Sequence, residues 1–185
     1  MEFIKTDITG VWIMEPRRHA DARGYFCETF RRDLFESHIG KVDFVQENES
    51  MSVRGVVRGL HFQAPPFTQA KLVRVSEGRV LDVAVDLRPG SATFGRHIAV
   101  ELSGESGRQL YVPRGFAHGF AVLSERARFQ YKVDEYYHPE AEGAIRCVDP
   151  DLGIDWRIPA GEMILSPKDL SAKTYAEYLK APLQF

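Results

Sequence analysis

His61 and Gln63 lie in the segment Gly59-Leu60-His61-Phe62-Gln63. If that segment is a strand, alternate side chains share a face, so His61 and Gln63 point together while Leu60 and Phe62 point away. An imidazole titrates near pH 6.5, so an interior histidine can serve as a general base or as a metal ligand. A hydrogen-bonded structural histidine is the ordinary alternative. His118 ends the run Pro113-Arg114-Gly115-Phe116-Ala117-His118, in which Pro and Gly make a tight approach to a strand. Tyr131 shares strand parity with Phe129 and Val133, where a tyrosine ordinarily packs in the core with its hydroxyl satisfied at one end. Asp169, in Leu165-Ser166-Pro167-Lys168-Asp169, reads equally well as a helix cap or a surface charge. Arg23 and Glu28 are able to bind a phosphate and a ribose or base edge, against the plainer reading of a solvated turn.

The elements that must position these groups are strands. From Asp43 to Trp156 the chain consists mainly of short β-branched and aromatic runs punctuated by Gly, Pro, Asn and Ser. Lys71–Val75 and Arg79–Leu87, joined by Ser76-Glu77-Gly78, read as a hairpin. Arg96–Leu102 and Arg108–Val112 repeat the arrangement, and Gly119–Leu123 precedes Ala127–Val133 across Ser124-Glu125-Arg126. Helices are expected at Arg32–Ile39 and at Ser171–Lys180, the second beginning at a Ser cap. The expectation is one all-β domain over 1–185, an antiparallel sandwich or barrel with short peripheral helices.

Composition narrows the partners. The 185 residues are 44% hydrophobic and 27% charged, and the formal net charge of −2 marks neither a general nucleic-acid binder nor an anionic-membrane binder. Cys27 and Cys147 are the only cysteines and read as free thiols. The first nine residues include Glu2, Lys5 and Asp7, unlike the apolar core of a signal peptide, and no apolar run is long enough for a bilayer. A cytoplasmic location is expected. Neither a nucleotide-binding glycine loop nor a nucleophile elbow is present.

The P-x-G-x-x-H spacing ending at His118 resembles the second motif of cupin barrels. Metal-binding cupins supply His-x-His in their first motif, whereas this chain has His61-Phe62-Gln63. Glutamine is a poor substitute for a second imidazole at a transition metal, so no metal is expected. A wider set of segments resembles the dTDP-4-dehydrorhamnose 3,5-epimerase family. They are Asp21-x-Arg23-Gly24-x-Phe26, Gln46-x-Asn48-x-Ser50-x-Ser52, Gly55-Val56-Val57-Arg58-Gly59-Leu60-His61 and Lys71-Leu72-Val73-Arg74-Val75. Further along come Asp82–Arg88, Pro113–Phe120, Tyr131-Lys132, Tyr136-Tyr137, Asp149–Trp156 and Leu165-Ser166-x-Lys168-Asp169, so the likeness spans nearly the whole chain in order.

That resemblance implies a cupin-type antiparallel β-barrel (jelly roll), usually a homodimer, acting on a dTDP-4-keto-6-deoxy sugar without metal or organic cofactor. It makes His61 the catalytic base with Asp169 as its carboxylate partner, Tyr131 the proton donor, and Lys71 the stabiliser of the enolate oxygen. Arg58, His118, Arg23, Gln46, Asn48 and Lys168 become sugar and diphosphate contacts, and Glu28 and Glu142 nucleotide-side contacts. Phe26 and Tyr137 sandwich the thymine ring, with Arg23–Glu28 able to come from the partner subunit. Two points stay open at this level. Strict alternation puts Arg58 and His61 on opposite faces unless a bulge intervenes at Gly59, and Asp82 is an alternative carboxylate for His61. Competing readings are an epimerase that inverts C3 or C5 alone, a sugar-nucleotide-binding cupin without catalysis, and a metal-dependent cupin dioxygenase.

Overall fold

The computed structural model describes all residues 1–185. In chain order the first elements are β1 (Glu2–Lys5), β2 (Trp12–Glu15), β3 (Arg18–Asp21), β4 (Gly24–Cys27), α1 (Arg32–His38) and β5 (Gln46–Val53). The central strands are β6 (Val57–Gln63), β7 (Lys71–Glu77), β8 (Arg79–Asp86), β9 (His97–Ser103), β10 (Gln109–Val112), β11 (Phe116–Val122) and β12 (Arg126–Val133). A short β13 (Glu142–Ala144) and two small helices, α2 (Pro167–Leu170) and α3 (Tyr175–Leu179), complete the chain.

Two antiparallel sheets carry the fold. One has the order β1-β2-β10-β7-β12-β5, the other β13-β6-β11-β8-β9, and β3 with β4 forms a separate hairpin. The main core lies between the sheets: Val73, Val75, Leu110 and Phe129 from the first meet Val80, Ala84, Val100, Phe116 and Phe120 from the second. A second core covers the other face of the five-stranded sheet, where Leu81, Val83, Val85 and Ala117 pack against Ile145, Trp156 and Tyr178. A third sets Phe35 of α1 against Met14, Leu72 and Tyr111. β8 and β11 are therefore apolar on both faces, which is why their sequences run nearly continuous rather than alternating. No helix is long and apolar enough to cross a membrane.

The all-β antiparallel expectation holds, but the connections differ from those read off the sequence. β7 and β8 are not a hairpin: β7 pairs with β10 and β12, while β8 pairs with β9 and β11. Ser76-Glu77-Gly78 leads the chain from one sheet to the other. Gly78 has φ +77°, and a Cβ there would lie 2.0 Å from the Arg126 carbonyl oxygen, so the crossing requires glycine. The β9–β10 and β11–β12 links also change sheets. A tight turn has the same residue signature whether the strands it joins pair or diverge.

Helix α1 falls where expected. The C-terminal helix does not begin at Ser171, which is the C-cap of α2. Thr174 caps α3 instead, in a capping box with Glu177.

Candidate active site

β6 does not alternate simply. Its register against β11 pairs His61 with His118 and Arg58 with Phe120, so Gly59 and Leu60 together oppose Gly119. This is a β-bulge, the device that brings Arg58 and His61 to one face. Gly59 makes it possible: its φ is +125°, and a Cβ would sit 2.6 Å from the Gly119 Cα. Leu60 and Phe62 point into the second core, leaving His61 facing the space between the sheets.

His61 and Tyr131 stand on opposite walls of that space. His61 is on the five-stranded sheet and Tyr131 on the six-stranded one, beside Lys71 on β7. Two adjoining cavities, of about 290 and 180 Å3, share His61, Lys71 and Tyr131 in their walls. The first also exposes Gln46, Asn48, Tyr137 and Glu142, and the second Arg58 and His118. A larger hollow of about 450 Å3 behind β13 and α3 contains neither His61 nor Tyr131, so the chemistry belongs to the smaller pair.

The His61 Nε2 lies 2.6 Å from the Asp169 Oδ1. Ser166 donates its hydroxyl to the other carboxylate oxygen at 2.7 Å, and the Asp169 backbone N–H donates back to Ser166 Oγ at 3.1 Å. Asp169 is buried, so this N-cap exchange fixes the carboxylate before it meets the imidazole. A neutral His61 then donates Nε2–H to Asp169 and keeps the Nδ1 lone pair for accepting a proton. Burial holds the His61 pKa below the ordinary imidazole value; Asp169 opposes this, Lys71 pushes the same way as burial, and Glu142 raises it slightly.

Asp82 is committed elsewhere. It is fully buried, and His118 Nε2 lies 3.0 Å from each of its carboxylate oxygens. The two dyads are thus His61–Asp169 and His118–Asp82, on paired strands.

Lys71 loses hydration at the cavity wall, which pushes its amine down to about 8 against the pull of Asp82 and Glu142. It remains largely cationic at neutral pH yet binds its proton less tightly than a free lysine. Burial raises the Tyr131 pKa, partly offset by a hydrogen bond from Asn48 and the charge of Arg58, so the phenol stays protonated. Inward residues of β5 line the cavity, with Gln46 donating to Asn48 at 2.8 Å and Arg58 donating to Ser52 Oγ at 3.1 Å. Their outward neighbours Glu47 and Glu49 pair with Lys132 and Arg128 on the solvent side.

Tyr137 donates its hydroxyl to Glu142 at 2.7 Å, and Glu142 also pairs with Lys168. Arg23, Phe26 and Glu28 line neither cavity. They belong to the β3–β4 hairpin and its end, where Arg23 pairs with Asp21 and Phe26 is 71% exposed. Arg18 fastens that hairpin through Gly104 and stacks over Tyr25 at 4.3 Å. Sequence reasoning missed Ser166, although Ser three residues before Asp169 is the pattern of an N-cap. It also placed Gln63 on the face of His61 and read it as a missing second histidine, without a role of its own. In the structure its buried side-chain amide is spent on backbone groups of the Phe67 and Tyr136–His138 segments.

The pH dependence follows from the dyad. A base must be neutral, so activity falls as pH drops through the His61 pKa, on a limb below the ordinary imidazole range. Asp169 raises that pKa, so Asp169→Asn should move the acidic limb to lower pH and weaken the base. Asp82→Asn should leave the limb in place. A pH–rate profile that shifts with Asp82 and not with Asp169 would reverse the assignment.

The family model described as dTDP-4-dehydrorhamnose 3,5-epimerase matches residues 5–177. The dTDP-4-dehydrorhamnose 3,5-epimerase of Escherichia coli K12 is 48% identical over 184 residues, covering 99% of each chain. The crystal structure of the enzyme of that name from Elizabethkingia anophelis aligns with a TM-score of 0.92 at 51% identity, covering 96% of this chain and 97% of its own. That of dTDP-6-deoxy-D-glucose-3,5-epimerase from Legionella pneumophila, in complex with dTDP-4-keto-L-rhamnose, gives 0.93 at 47% identity, covering 100% and 98%.

Proposed function

Because this chain belongs to the dTDP-4-dehydrorhamnose 3,5-epimerase family, we propose that it converts dTDP-4-dehydro-6-deoxy-D-glucose to dTDP-4-dehydro-L-rhamnose by inverting C3 and C5. The observation that carries the catalytic reading is the His61–Asp169 pair facing Tyr131 across one cavity.

The C4 ketone acidifies the protons on C3 and C5, because either carbanion delocalises onto the C4 oxygen. His61 Nδ1 takes the proton, and Asp169 stabilises the imidazolium that results. The electron pair of the broken C–H bond becomes the enolate, whose oxygen is met by the Lys71 ammonium. Tyr131 delivers a proton to the same carbon from the opposite wall, closing the step with inverted configuration. The phenolate and the imidazolium then return to their starting states by exchange with solvent. The ketone within the substrate supplies the electron sink, so the route calls for no metal or organic cofactor. Arg58, His118, Gln46, Asn48 and Lys168 surround the sugar and diphosphate, while Tyr137 and Glu142 form the nucleotide side. Arg23, Phe26 and Glu28 act on the site of a second copy in a homodimer, with Phe26 as the other half of the thymine sandwich. The protein works as one catalytic domain in the cytoplasm.

Incubation with dTDP-4-dehydro-6-deoxy-D-glucose in D2O tests this. Deuterium at both C3 and C5 by NMR is the expected result. Incorporation at one carbon alone would identify a single-centre epimerase, and none at either would remove the catalytic reading.

A further inference from the structure

The arc from Asp134 to Ala144 leaves β12, carries Tyr136 and Tyr137 past the cavity, and returns as β13 beside β6. Its far end is tied by sheet pairing, with Glu142 opposite Gln63 and Ala144 opposite His61. At its near end the Asp134 N–H donates to the Ala70 carbonyl at 3.4 Å, and beyond that residue the ties are side chains, chiefly that of Gln63.

Gln63 is 5% exposed, and its amide bonds in three directions. Nε2 donates to the carbonyl oxygens of Phe67 at 2.6 Å and Tyr136 at 3.0 Å, while Oε1 accepts the His138 backbone N–H at 2.6 Å. Both amide hydrogens are used, so Gln63 has no donor left for a ligand. Its bonds grip the residues on either side of Tyr137. Gln69 adds a second brace through the Glu135 carbonyl at 2.8 Å, and Phe67 stacks on His138 at 3.8 Å. At the other end of its side chain, the Tyr137 hydroxyl is held by Glu142.

We propose that Gln63 is a positioning residue that sets nucleotide affinity by clamping the backbone around Tyr137, resting on the reading of Tyr137 as the nucleotide platform. An aromatic platform binds best when its ordering cost is met before the ligand arrives. Without the clamp, the Phe67 carbonyl and the His138 N–H lose their Gln63 partner, the Tyr136 carbonyl keeps only the longer bond from Gln69 at 3.3 Å, and the segment is held less firmly. The acid–base groups are held by other contacts: Asp169 and Ser166 for His61, and strand pairing for Lys71 and Tyr131. The effect therefore belongs in binding more than in turnover.

The test is a double-mutant cycle read by dTDP titration calorimetry together with kcat and KM. Gln63→Met should raise the dTDP Kd and the KM about tenfold to a hundredfold, the range expected for losing one stacked base, while kcat falls by much less. The double variant with Tyr137→Ala should bind no more weakly than Tyr137→Ala alone, because the clamp acts through that ring. Parental affinity in Gln63→Met beside weakened Tyr137→Ala would overturn the clamp and leave the platform standing. Fully additive losses would also overturn it. Parental affinity in Tyr137→Ala would instead remove the platform, and the clamp's purpose with it. If Gln63→Met does not fold, Gln63→Glu carries the same cycle, since it keeps the shape and the acceptor but lacks the donors facing two carbonyls.

Discussion

Replacing His61 with alanine should abolish epimerisation and solvent exchange together. His61 is the imidazole that lines both cavities together with Lys71 and Tyr131, and without it no carbanion forms. General acid–base catalysis is typically worth about 10²–10⁴-fold, which sets the minimum loss. His118 does not take over, since it lines only the second cavity and its side chain is 8% exposed against 34% for His61. The check is a progress curve in D2O with dTDP binding measured in parallel. Exchange persisting at C3 or C5 at the parental rate would mean that another group is the base.

Removing the Tyr131 hydroxyl should have a comparable effect on inversion and a different one on exchange. Tyr131→Phe keeps the ring that packs beside Phe129 and the main core, so the fold and the base are preserved. The protonated phenol that burial maintains is lost. Inversion should fall by roughly 10²–10⁴-fold. His61 can still remove a proton and return solvent deuterium to the face it came from. If Tyr131→Phe inverts both centres at the parental rate, Tyr131 is core packing and the donor is another group or water.

How legible all this was depended on the range of the interactions concerned. Alternation along β12 put Tyr131 on the inward face, and the β-branched and aromatic runs marked the strands of Lys71 and Tyr131, because both are local properties. The partner of each strand was not legible. Ser76-Glu77-Gly78 looks like a hairpin turn, and whether β7 and β8 pair or part depends on cores formed by residues a hundred positions apart. The choice between Asp169 and Asp82 for His61 was open for the same reason: residues 61 and 169 meet only once α2 has packed against β6. Gly59 lay between. A glycine in a strand hints at a bulge, and the conflict between Arg58 and His61 located it, but the Gly119 backbone that crowds it was needed to explain it. Gln63 shows the limit most plainly. Its residue type argued against one function, and its partners across the β6–β7 loop and beyond β12 supply another.

The central claim is that proton removal and proton delivery belong to opposite walls, His61 on one and Tyr131 on the other. The most direct measurement compares deuterium in unconverted substrate with deuterium in inverted product, in one quenched D2O sample, for the parent protein and for Tyr131→Phe. The parent should accumulate label chiefly in inverted product. Tyr131→Phe should accumulate label at C3 and C5 of sugar that retains its configuration, with inverted product scarce. Loss of exchange and inversion in equal measure in Tyr131→Phe, with dTDP still bound as in the parent, would contradict the division of labour between the two walls.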